Sequence, residues 1–194
     1  MRKSTVIIPL LVPAVVGIGA VAAEKSAHSS LDGDLRSAVA RVLPGERVQE
    51  TNVRGRPYLV SRLEDRVSTA YVSLVPDARA VERTLLVQEL DLATGRARQL
   101  RYFVTLPYAA GARGVPVRDS AGAYTDRASV DGRRVRYSAA LDGDTVRVSA
   151  SSGSSPKAVK SLQVKGMHLV GKPAAKEGGV LVELVAADVP TRRS

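Results

Sequence analysis

His28 and His168 are the only imidazoles in the chain, and there is no cysteine. A Ser-His-Asp arrangement would have to use His168, because His28 stands beside an apolar N-terminal segment, and no Gly-x-Ser-x-Gly elbow marks a partner serine. A phosphate-binding glycine loop, a dinucleotide fingerprint and a His-Glu-x-x-His pair are also missing from the sequence. His168 therefore reads as a half-buried strand residue. Without cysteine there is no disulfide, no thiolate metal site and no lipid-modified cysteine, so stability has to come from packing.

The carboxylates offer little more. Asp32-Gly33-Asp34 and Asp142-Gly143-Asp144 carry oxygen ligands, but neither continues to the closing glutamate of a calcium loop. They read as turn and cap residues. Glu64-Asp65, and Glu46 with Glu50, have the spacing of acid–base pairs. Arg47, Arg62 and Arg66 lie close to them in sequence, and surface ion pairs explain them more simply. The expected chemistry is non-enzymatic and needs no cofactor.

Charge is the stronger signal. The formal net charge is +10, or +8 without Arg2 and Lys3, and 22 of the 29 basic residues are arginine. Such an excess favours anionic partners, phospholipid headgroups or acidic polymers, because each basic residue near an anionic surface contributes about 1 kcal/mol. Nucleic acid fits less well: there is no Trp, and only six Tyr and one Phe are available to stack on bases. Lys157, Lys160, Lys165, Lys172 and Lys176 concentrate late in the chain. They form either a solvated face or a basic edge that contacts headgroups.

The elements that must position these residues begin with an uncharged stretch, residues 4–23, preceded by Arg2 and Lys3. As a helix it reaches about 30 Å, the thickness of the hydrocarbon core. Ala20-Val21-Ala22 also has the small-x-small pattern of a signal-peptidase site, so a cleaved leader and a retained anchor remain open. Either places the rest of the chain in the cell envelope, on the outer side of the cytoplasmic membrane. Residues 24–194 are long enough for one domain with a substantial core.

Leu31, Leu35, Ala38, Val39, Val42 and Leu43 recur at helical spacing, which predicts an amphipathic helix capped at its start by Ser29, Ser30 or Asp32 and ended by Pro44-Gly45. After Gly45 the pattern turns to short β-prone runs. Strands are expected over 47–53, 67–75, 81–92, 96–106, 123–130, 135–141, 145–150, 159–170 and 180–187. Thr94-Gly95, Asp131-Gly132 and Asp142-Gly143-Asp144 fall between runs, where hairpin turns demand positive φ. Residues 108–118 and 151–156 read as longer loops. Gly55-Arg56-Pro57-Tyr58-Leu59-Val60-Ser61-Arg62-Leu63 interrupts the strands as a short helix that plugs one end of the sheet or guards a lipid entrance.

A basic-flanked leader, an amphipathic helix, a strand, and this turn running into Val67-Ser68-Thr69-Ala70-Tyr71-Val72-Ser73-Leu74 together resemble the LmeA-type phospholipid-binding proteins of actinobacterial envelopes. The resemblance covers about Ala20 to Leu106. It implies phospholipid binding in support of membrane lipid or lipoglycan assembly, without catalysis. The residues are compatible with this: a curved antiparallel sheet faced with Val, Leu and Ala and closed by a helix can enclose an aliphatic cavity.

The expected fold is α+β, an N-terminal helix packed on a long, curved, mostly antiparallel β-sheet, in a monomeric or weakly associating domain. The expected lipid-binding residues are Leu35, Val39 and Val42 from the helix and Tyr58, Leu59 and Leu63 from the turn, with Arg56 and Arg62 at the headgroup. The alternative is a membrane-tethered scaffolding β domain that binds a protein partner, and the two differ in whether the core holds a cavity or is packed solid.

Overall fold

The computed structural model describes residues 8–43, 45–54, 57–77, 80–108, 112–152 and 157–190, with the side chains of 8–22, 41–42 and 157–159 outside that description. The chain forms α1 (Ile8–Val42), β1 (Val48–Arg54), α2 (Tyr58–Leu63), β2 (Arg66–Leu74), β3 (Glu82–Asp91), β4 (Arg96–Pro107), β5 (Gly114–Arg118), β6 (Tyr124–Val130), β7 (Arg133–Asp142), β8 (Thr145–Ser151), β9 (Lys157–Gln163), β10 (His168–Ala175) and β11 (Gly179–Pro190). The fold is α+β, rich in strand, and every strand pairing is antiparallel.

The strands divide between two sheets. The larger has the order β1-β2-β3-β4-β11-β10, and the smaller is the meander β5-β6-β7-β8-β9, inserted between β4 and β10. The expected strand over 159–170 is thus two strands in different sheets. Gly166, at φ +69, lets the chain turn between them, and the Val164 amide donates to the Asp144 carbonyl at 2.7 Å. β5 lies inside the segment expected to be a loop. Its Pro116 cannot donate to a ladder, and it sits on an edge strand, where one side of the backbone has no ladder partner.

The helix also differs from expectation at its start. α1 is continuous from Ile8, so Ser29, Ser30 and Asp32 lie in its interior and none caps it. Between Ala20 and Val42 the sequence holds no proline and only Gly33 to weaken it, so nothing ends one helix and begins another. Among residues described to side-chain level, no helix is long and apolar enough to cross a membrane. That does not bear on the leader, whose side chains up to Ala22 lie outside the description.

One core joins all three layers. α1 contributes Ala27, Leu31, Leu35, Ala38, Val39 and Leu43, a stripe at three- and four-residue spacing. The large sheet contributes rows set by register, such as Val72, Leu85, Tyr102 and Leu184 across β2, β3, β4 and β11. The small sheet adds Ala128, Tyr137, Val146, Val148 and Leu162, and its β6 and β7 pack on β10. Each fully buried Leu or Val contributes about 1.5–3 kcal/mol, so the helix stripe and these rows hold the fold together.

Candidate functional site

The turn after β1 is clamped to α1. The Glu24 carboxylate accepts hydrogen bonds from the Tyr58 and Leu59 amides at 2.6 and 2.9 Å, satisfying the free donors at the start of α2. His28 stacks edge-on against the Tyr58 ring at 4.4 Å, and Arg62 pairs with Asp34 at 2.8 Å. One turn along, Asp32 accepts from Arg36 at 2.7 Å and from the Thr51 hydroxyl. Burial opposes the charge on Asp32, but the hydrogen bonds from Arg36 and Thr51 outweigh it and hold the carboxyl below its ordinary range.

This geometry separates the expected lipid-binding residues into groups. Leu35 and Val39 are 0% and 1% exposed and belong to the core shared with the sheets. Tyr58 and Leu59 are half-buried against α1, while Leu63 is 76% exposed at the far end of the turn. Arg62 is brought to α1 by Asp34. Arg56 and the Val42 side chain lie outside the described residues.

Several other readings are corrected. Glu46 pairs at 2.6 Å with Arg83, which is 5% exposed, and not with the neighbouring Arg47. Arg66 reaches across to Glu89 at 3.2 Å. Chain proximity misled here because residues on β2 and β3 meet partners across the sheet. His168 is exposed at the start of β10, not half-buried, since it precedes the stretch of that strand that enters the core. The turn reading of Asp142 and Asp144, by contrast, agrees with the structure: Asp142 opposes Thr145 across a hairpin, and Asp144 accepts from the Gly166 amide.

Two open clefts stand out on the sheets. The first, about 910 Å³, lies on the large sheet and is lined by residues including Arg66, Thr69, Gln88, Glu89, Arg98 and Asp188. Its charges are matched internally: Glu89 takes both Arg66 and Arg98, at 3.2 and 3.0 Å. The second, about 620 Å³, lies on the small sheet and is lined by Val117, Arg127, Ala128, Arg134, Val135, Arg136 and Ser151. Here the charges are not matched. Asp126 lies 3.7 Å from Arg127 and 3.6 Å from Arg136, and Arg134 has no ion pair among the described residues.

The arginines of the second cleft were not among the expected site residues, although the sequence carries their signal. Asp131-Gly132 is a two-residue hairpin turn with both residues at positive φ, +48° and +76°. That turn fixes the register: Val130 opposes Arg133, Ser129 opposes Arg134, and Arg127 opposes Arg136. The alternation Arg134-Val135-Arg136 then puts both arginines on the face away from Tyr137 and the core. Comparison with protein-family models, with characterised proteins and with solved structures finds no match to this chain.

Proposed function

We propose that this chain is a non-catalytic binding module of the cell envelope, held at or released from the outer side of the cytoplasmic membrane by its N-terminal segment, and that it acts as a scaffolding β domain rather than as a carrier of acyl chains. The observation that carries this reading is the state of the helix stripe. Leu31, Leu35 and Val39 are 0%, 0% and 1% exposed, so the apolar face expected to line a lipid cavity is spent on packing against the sheets. The two larger clefts described are open and lined by charged and polar side chains as well as a few small apolar ones. A folded surface with charge-rich clefts suits recognition of a partner.

Native mass spectrometry of the full chain purified from its own membranes tests this. The expected result is a protein mass without a stoichiometric phospholipid, with a protein partner recovered by crosslinking in the membrane. A phospholipid retained one to one through purification overturns the reading.

One observation favours the phospholipid reading implied by the LmeA-type resemblance. Leu63 is 76% exposed at the end of a turn that also carries Tyr58 and Leu59, which suits shallow contact with a bilayer. In that case Leu63→Ser lowers liposome binding without altering stability, and Arg56→Ser lowers it further if headgroups sit at the turn.

A further inference from the structure

We propose that the cleft on the outer face of the small sheet is a binding site for a phosphate group, held by Arg127, Arg134 and Arg136. The site does not depend on the scaffolding reading above, whose carrying observation is the buried helix stripe and not this cleft. Arg127 and Arg136 are direct cross-strand partners, and Ser151 opposes Arg136 on the next strand, so the three form one row across β6, β7 and β8. Arg134 stands two residues along β7 on the same face. Like charges directly opposite on neighbouring strands are destabilising, and the single Asp126 carboxylate near Arg127 and Arg136 offsets this row only in part, so a further anion between the guanidinium groups would stabilise it.

The rest of the molecule sets the contrast. Arg36, Arg62, Arg83, Arg96 and Arg147 meet carboxylates at 2.7, 2.8, 2.6, 2.8 and 2.9 Å. In the cleft, Arg127 and Arg136 share a single carboxylate beyond hydrogen-bond distance, at 3.7 and 3.6 Å. With Arg134 unpaired among the described residues, three arginines and one shared carboxylate leave unused cationic capacity in this cleft. Guanidinium forks match the oxygens of carboxylate or phosphate. A carboxylate has two oxygens, whereas a phosphate presents three or four around one centre, which suits three arginines and a serine hydroxyl converging on an open cleft of about 620 Å³. A lipid headgroup and a soluble phosphate compound share this chemistry.

The test uses the full chain with inorganic phosphate followed by NMR, and in parallel flotation with vesicles of phosphatidylglycerol and phosphatidylcholine or of phosphatidylcholine alone. Saturable phosphate binding is expected, weakened about tenfold by Arg134→Ser, the magnitude of one charge-assisted hydrogen bond. Arg133→Ser removes the same charge from the same strand outside the cleft, and should leave binding within about twofold if the site is specific. Both arginines are exposed, and matching unfolding midpoints confirm that each variant folds. Flotation that needs phosphatidylglycerol and Arg134 identifies a headgroup, and phosphate binding without flotation identifies a soluble ligand; either supports the site. Equal losses in the two variants, or neither saturable phosphate binding nor Arg134-dependent flotation, overturn it.

Discussion

At Arg83 a guanidinium only 5% exposed is held by Glu46 at 2.6 Å, by Asp77 at 3.4 Å and by the Val75 carbonyl. With Glu46 neutralised, the guanidinium keeps only the more distant Asp77 and the Val75 carbonyl, so Glu46→Gln should lower stability by about 2 kcal/mol in urea unfolding. Asp32 gives a different signature, read in pH. Its carboxyl is held below the ordinary carboxylate range, so its stabilising contribution is present above the unfolded-state value and is lost as pH falls through the folded-state one. The wild type should therefore lose stability on acidification more steeply than Asp32→Asn, as urea midpoints measured across the acid range would show. Tyr102 and Tyr137 work at the other end of the scale. Burial pushes both up to about 12, with the Glu46 charge adding at Tyr102 and the Tyr108 hydroxyl adding at Tyr137. Their contribution is complete below the ordinary value of 10.0 and disappears as pH rises towards 12, so these rings should ionise last in an alkaline absorbance titration.

Among the elements, α2 depends most on a single distant side chain. Its six residues are too few to be stable alone, and the Glu24 carboxylate takes two of its first amides. Glu24→Ala should cost about 1 kcal/mol and speed amide exchange at Tyr58 and Leu59, while exchange in β2 to β4 stays unchanged. Much of the secondary structure was legible because local rules act alone there: the hairpin at Asp131-Gly132 needs only two positive-φ residues, and the stripe from Leu31 to Leu43 needs only helical spacing. What was not legible depended on partners far along the chain. Gly166 looks like an isolated glycine in one long β-prone run until its two sides are seen to join different sheets. Gly114-Val115-Pro116 looks like a loop until Val130, Ser129 and Ala128 are found opposite it. The site was legible to the same extent. The expected turn residues were placed together by sequence adjacency, but Glu24 and Asp34, which anchor them, come from a helix one strand earlier.

On the scale of the whole molecule, the two sheets differ in charge while sharing a core. Between Gly114 and Gln163, the span of the small sheet, lie eight basic and five acidic residues. A field of that sign draws anions to the small sheet over roughly a Debye length, about 8 Å at physiological salt, so association with acidic partners should slow as salt rises. Separate domains could divide such labour and unfold apart, but the burial pattern argues otherwise. Val146 and Val148, at 0% and 1% exposed, belong to the same cluster as Leu35 on the helix and Leu184 at the middle of the large sheet. Gly179 adds a constraint at the start of β11: a Cβ there would stand 2.1 Å from the Leu106 carbonyl oxygen, so this end of β11 can lie this close to β4 only with glycine at that position. Val148→Ala should therefore cost about 2 kcal/mol, and the loss should appear equally in amide exchange of β2 to β4, which Val148 never pairs with. If the small sheet were an independent unit, its own amides would weaken and those of the large sheet would keep their protection; one shared cooperative transition is the outcome that a continuous core requires.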